Sequence, residues 1–166
     1  MTSIVRMLRL VLLGLWLGAA IFFGATVAPA LFGVLRGANL TNANELAGTI
    51  VSRLLSIINL DGLELSLFLI VTSYFMTKNE SRLRRFAEMI SLAIMAIMTG
   101  VGHWVIAARM SALRAAMQGH IDQVAPSDPR RMAFDSLHGY SVMVMGVAMV
   151  AGLVAFVIMA STRNRT

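Results

Sequence analysis

Asp61 and Glu64 fall near the middle of a long apolar stretch, with Arg53 two turns earlier. At helical spacing Arg53, Ile57, Asp61, Glu64 and Phe68 share one side of a helix, so the charged members form a stripe. Insertion scales put a charged Asp at the centre of a membrane span at about 2.5–3.5 kcal/mol. Such a stripe is expected to face inward, where a proton, water, Arg53 or a histidine offsets that cost. Two uses stand side by side: an internal polar network that sets helix register, and an ion or proton site.

Two histidines lie in similar surroundings, His103 late in the third apolar stretch and His138 early in the fourth. Imidazoles on adjacent helices can ligate haem b, bind a divalent metal or relay protons. The plainest use is a hydrogen bond to a neighbouring helix or to Asp61. Arg53, Asp61, Glu64, His103 and His138 are therefore the expected intramembrane cluster, with His103 and His138 as the candidate haem ligands. Thirteen methionines, among them Met95, Met98, Met143, Met145 and Met149, raise the question of Cu(I). Met143 and Met145 are the candidate thioether ligands, although methionine is equally an apolar filler and these two point to different sides of a helix. His120 lies in a polar connection and is expected in water. The chain has no cysteine, which excludes thiolate metal sites, thiol nucleophiles and disulfides. No serine-histidine-acid set, phosphate loop or paired-carboxylate pattern is present, so no catalytic residue is assigned and the chain is read as non-enzymatic.

The elements that must position these residues are four apolar stretches, about 10–32, 50–76, 86–108 and 134–160. Each exceeds the roughly 20 residues a helix needs to cross a bilayer. With 58% apolar and 13% charged residues among 166, and a mean hydropathy of +0.78, the chain lacks the polar surface of a soluble domain. Backbone groups in lipid must bond internally, and no period-two alternation suggests a barrel. The fold class is all-α: one four-helix integral membrane bundle over 1–166, up-down-up-down. The short Thr77–Arg85 connection makes the second and third helices an antiparallel hairpin. Asn42 to Glu45 has capping-box spacing at the start of helix two, and Asp128-Pro129 opens helix four as an N-cap followed by proline. Helix three is expected to run on from Met110 to Met117, before Gly119 and Pro126 break the pattern of the 109–133 outer loop. Pro29 can bend the end of helix one, and Gly14, Gly18 and Ala25 give it a small-residue packing face. Ala28-Pro29-Ala30 resembles a signal cleavage site, but the proline and the length of the apolar run point to a retained span.

The net charge of +6 sits at the ends of the stretches, where it meets lipid headgroups, so nucleic acid is not expected as a partner. Arg6, Arg9, Lys78, Arg82, Arg84, Arg85, Arg163 and Arg165 lie at one end of the bundle. Arg36, Arg53, Arg109, Arg114, Arg130 and Arg131 lie at the other. The excess at the first end puts both termini in the cytoplasm, and Tyr74, Trp104 and Tyr140 are expected as interface anchors.

The Trp16–Phe23 segment, Ala28-Pro29-Ala30-Leu31-Phe32, Ala47-Gly48, Arg53-Leu54-Leu55, Ala112-Leu113-Arg114 and Phe134 to Ser141 together carry a family resemblance. The chain resembles a bacterial family of unknown function related to the eukaryotic four-span transmembrane protein associated with cisplatin resistance. Phe134, Leu137, His138 and Ser141 look like that family's signature at the start of helix four. Ala108-Arg109 departs from the proline expected before the arginine, which implies a straighter exit from helix three. The resemblance implies a four-helix bundle and singles out Arg53, Arg114 and His138, without supplying a reaction. A remoter similarity in architecture extends to the copper-resistance D family and the haem-containing membrane protoporphyrinogen oxidases. The functional expectation is an accessory or interaction subunit, or a small transport-related module, in the bacterial inner membrane. It would associate with itself or a larger complex. Haem-b electron transfer and copper handling are the alternatives.

Overall fold

The computed structural model describes residues 2–76, 81–117 and 121–161, and these contain four long helices and no strand. They are α1 (Ile4–Gly37), α2 (Ala43–Phe75), α3 (Arg82–Ala116) and α4 (Pro129–Ala160). All four are long and apolar enough to cross a membrane, so this is an integral membrane protein with a helical bundle fold. Lys78, Gly119, His120, Arg163 and Arg165 lie outside the described residues.

Local chemistry sets the helix ends. α1 stops where Asn39 turns left-handed, at φ 52°, a conformation asparagine tolerates better than most residues. α4 starts as expected: Asp128 accepts from Arg130 N at 2.8 Å and Pro129 follows at the first helical position. The capping box of α2 does not form. Glu45 instead takes the Ile121 N–H at 3.2 Å, and its own N–H donates to Asp122 Oδ2 at 3.1 Å. The N-terminus of α2 is thus capped from the connection after α3, a long-range substitute that local spacing does not reveal. Pro29 has no N–H to bond back to Ala25, and the turn before it, Phe23–Val27, widens to π geometry. A second π segment, Val101–Ile106, lies inside α3.

The chain alternates direction. At one end Arg6 donates to Ala160 O at 3.2 Å, Arg84 to Ile158 O at 2.8 Å and Arg85 to Tyr74 O at 3.4 Å, so basic side chains cover carbonyls at the ends of α4 and α2. At the other end Arg36 Nε bonds Asn44 and Asn44 bonds Asp122, joining α1, α2 and the loop before α4. The core between these ends is Leu13, Trp16, Leu17 and Ala20 of α1, Leu69 of α2, Leu92 and Met95 of α3, and Met145, Ala148, Ala151 and Ala155 of α4. Lipid offers no hydrophobic drive for helices to associate, so close packing of small residues must supply it. That small face belongs to α4, at Ala148, Ala151, Gly152 and Ala155, rather than to α1. An added Cβ on Gly14 would meet Phe156 at 3.5 Å, and one on Gly18 would meet nothing within 4 Å. Large apolar side chains such as Leu15, Phe22, Phe75, Ile97 and Val150 point outward, as does each of Tyr74, Trp104 and Tyr140.

Candidate functional site

Helix periodicity distributes the polar residues of α2 over two opposite faces. Ser52, Ser56, Asn59, Ser66 and Ser73 follow one face, and Asn59, Ser66 and Ser73 are buried on it. Asp61 lies two positions past Asn59, about 200° around the helix. The structure accordingly exposes Arg53, Asp61 and Glu64, with Ile57 and Phe68, on the outside of the bundle. The inward stripe expected from sequence is an outward one, because Gly62 and Asn59 occupy the packed side. Gly62 lies under the Trp16 indole, whose Nε1 donates to Ile58 O at 2.9 Å.

The buried charges lie elsewhere. Arg9 is 4% exposed and Glu88 2%, and Arg9 Nη2 donates to Glu88 Oε1 at 2.5 Å. Ser73 Oγ bridges them, accepting from Arg9 and standing 2.5 Å from Glu88 Oε1. Arg9 Nε is buried without a hydrogen-bond partner among the described residues. Arg9 therefore does not belong with the headgroup-facing arginines: it ties α1, α2 and α3 together from inside. Sequence carried a signal for this, a basic and an acidic residue at similar depth from the same end of their helices.

The opposite end holds a cavity of about 570 Å³ between the outer part of α1, the start of α2 and the start of α4, lined by Arg36, Asn44, Arg114, Asp122, Arg131, Asp135 and His138 among others. A deeper chamber of about 220 Å³ is lined by Ser52, Ser56, Asn59, Ser141 and Gly102. Arg114, Phe134 and His138 border both. Arg114 is held over the Phe134 ring, 5.4 Å from its centroid, with Nε 3.3 Å from Glu45 and Nη1 donating to Thr49 at 3.2 Å. Gly48 makes this position possible, since a Cβ there would lie 3.0 Å from Arg114 Nη2. Burial works against the Asp122 charge, but the Asn44 amide, the Glu45 and Asn44 N–H groups and the nearby Arg131 together hold its carboxyl below the usual range.

The remaining candidates stand in different surroundings. His103 is half-buried and its Nδ1 lies 3.1 Å from Ser56 Oγ and 3.2 Å from Ser56 O, while His138 is exposed on the cavity wall. Leu137 is half-buried beside it, outside the lining, and Ser141 is buried in the deeper chamber. Met145 is a core residue and Met143 faces outward. No group of three or more His, Cys, Asp or Glu side chains with metal-binding geometry occurs among the described residues.

The arrangement combines a buried ion pair, an end cavity and an exposed acidic face. The family described as a domain of unknown function, DUF4149, matches residues 11–119. The chain belongs to this family. The DUF4149 region takes in α2, α3 and most of α1, with Asp61, Glu64, Glu88, His103 and Arg114. It stops short of Phe134, Leu137, His138 and Ser141, and it starts after Arg9. No curated protein and no solved structure matches the chain. DUF4149 membership carries no reaction, and none of these comparisons lends support to the likeness to the cisplatin-resistance-associated protein or to the copper-resistance D family.

Proposed function

We propose that this DUF4149 protein is a non-catalytic subunit of a larger assembly in the bacterial cytoplasmic membrane, with both termini in the cytoplasm. One observation carries the reading: Asp61 and Glu64 lie in the middle of an apolar span and point away from their own bundle. Lipid tails cannot solvate a carboxylate, and intramembrane ionisable residues are found against partners, water or one another. A neighbouring transmembrane helix with a basic side chain at matching depth satisfies both groups. Ile57, Leu67 and Phe68, each exposed beside them, supply the apolar contact that such a helix needs.

The chain has no cysteine, so single cysteines placed at Ile57, Leu67 or Phe68 give unambiguous crosslinks. In native membranes these positions are expected to crosslink to another membrane protein, whereas Val150→Cys on α4 does not. Asp61→Asn with Glu64→Gln is expected to abolish the crosslink and shrink the solubilised particle. A particle of one chain, unchanged by that double substitution, overturns the proposal.

A further inference from the structure

The outer part of α1 packs on α2 rather than on α4, and the larger cavity occupies the cleft left between them. Arg36 stands on its α1 wall. Its Nε donates to Asn44 Oδ1 at 2.7 Å and its guanidinium carbon lies 5.4 Å from the Phe32 ring centroid. Its terminal nitrogens have no acceptor among the described residues. Asp122, the nearest acid in its network, is already taken by Asn44 and by the Glu45 N–H.

Asp135 stands on the α4 wall, exposed to the same cavity and bonded to no cation among the described residues. Arg131, one turn earlier, gives its Nη1 to the carbonyls of Ile121 and Val124 instead. The cleft therefore presents Arg36 and Asp135 across a shared space, each without an oppositely charged partner among the described residues. Below them, Asn59 is 4% exposed, lines the deeper chamber and makes no hydrogen bond to the described residues.

We propose that this cleft binds a zwitterion, its phosphate or carboxylate on Arg36 and its primary ammonium on Asp135. A simple anion would leave Asp135 unmet and be repelled by it. A simple cation would do the same at Arg36. The chemistry is shared by a phosphoethanolamine lipid headgroup and by a free amino-acid-like solute, and the site lies where the bundle meets the headgroup layer. It is independent of the acidic face on α2, so either reading can fail alone.

The test uses the full chain in nanodiscs and thermal unfolding as readout. O-Phosphoethanolamine is titrated in phosphatidylcholine discs, and phosphatidylethanolamine is compared with phosphatidylcholine as the disc lipid. Glycerol phosphate and ethylamine serve as single-charge controls, and phosphocholine serves as a zwitterion with no N–H to donate. Stabilisation by phosphoethanolamine, with Arg36→Gln and Asp135→Asn each weakening it tenfold or more, supports a soluble ligand. Stabilisation only by phosphatidylethanolamine, lost in the same variants, supports the headgroup. Both residues are exposed, so neither substitution disturbs the core. Equal response to glycerol phosphate, indifference to Asp135→Asn, or no response to any zwitterion overturns the proposal.

Discussion

Gly62→Ala is expected to destabilise the bundle because the indole of Trp16 fills the space a side chain would need. A Cβ on Gly62 would lie 2.7 Å from Trp16 Nε1 and 2.8 Å from Cε2 and Cζ2, well inside contact distance. The ring has little room to retreat. Gly152 on α4 supports its other side, where an added Cβ would stand 3.4 Å from Cζ3. Overpacking of this kind costs about 1–3 kcal/mol. Moving the indole also strains the 2.9 Å bond from Trp16 Nε1 to Ile58 O, worth about 0.5–1.5 kcal/mol. Alanine returns up to about 1 kcal/mol through its better helix propensity. The net expectation is a loss of about 1–3 kcal/mol, five-fold to more than a hundred-fold in the unfolding equilibrium. Reversible unfolding in mixed detergent micelles, followed by circular dichroism, measures it. The decisive comparison is the Trp16→Leu background, where the ring is gone and Gly62→Ala should be neutral or mildly stabilising. An equal loss in both backgrounds refutes the steric argument.

Arg9→Met leaves Glu88 buried without its cation and is expected to cost about 3–5 kcal/mol in the same assay, while Arg9→Met with Glu88→Met recovers most of the loss; a double variant as unstable as the single one would remove the pair from the account. Asp128 is held at about 2, against an ordinary 3.8, by its hydrogen bonds from the Arg130 side chain and backbone N–H. A lowered folded-state value means its contribution is complete above pH 4 and fades as pH falls toward 2. Amide protection over residues 130–132, corrected for intrinsic exchange, should therefore drop across that window, and Asp128→Ala should show no such step. In the cysteine-free chain, Asn39→Cys should react with an impermeant maleimide in intact cells and Ser81→Cys only after permeabilisation; the reverse pattern inverts the proposed orientation.

The four helices were legible because lipid permits only one reading of long apolar stretches whose backbone must bond within itself. The N-cap of α4 was equally legible, since Asp128-Pro129 acts within its own turn. What sequence concealed was which side of each helix faces in. The charges of α2 suggested that Arg53, Asp61 and Glu64 face inward, yet the better guide was the quieter series Ser52, Ser56, Asn59, Ser66 and Ser73, together with Gly62. Small and hydroxyl-bearing residues can back-bond to their own helix, as Ser66 does to Leu63 O at 2.8 Å, so they can be buried without a partner on another helix. Carboxylates cannot do this. The matched depth of Arg9 and Glu88 was outweighed for a different reason: each lies near a helix end, where headgroup exposure is the ordinary expectation.

These placements assign separate work to three groups of charges. Arg9 and Glu88 neutralise each other inside the bundle, join three helices and reach no cavity among those described. The Glu45–Arg114 ion pair and the Ile121 N–H bond to Glu45 fix the end of α3 and the loop after it to the start of α2 and leave a hollow beside them. Asp61 and Glu64 belong to neither, and no side chain of the described bundle reaches around α2 to meet them. Packing within the bundle gives no structural reason to keep two carboxylates on its outer side. On the proposed reading, the double substitution on α2 is expected to alter association while leaving the stability of the isolated bundle unchanged or improved.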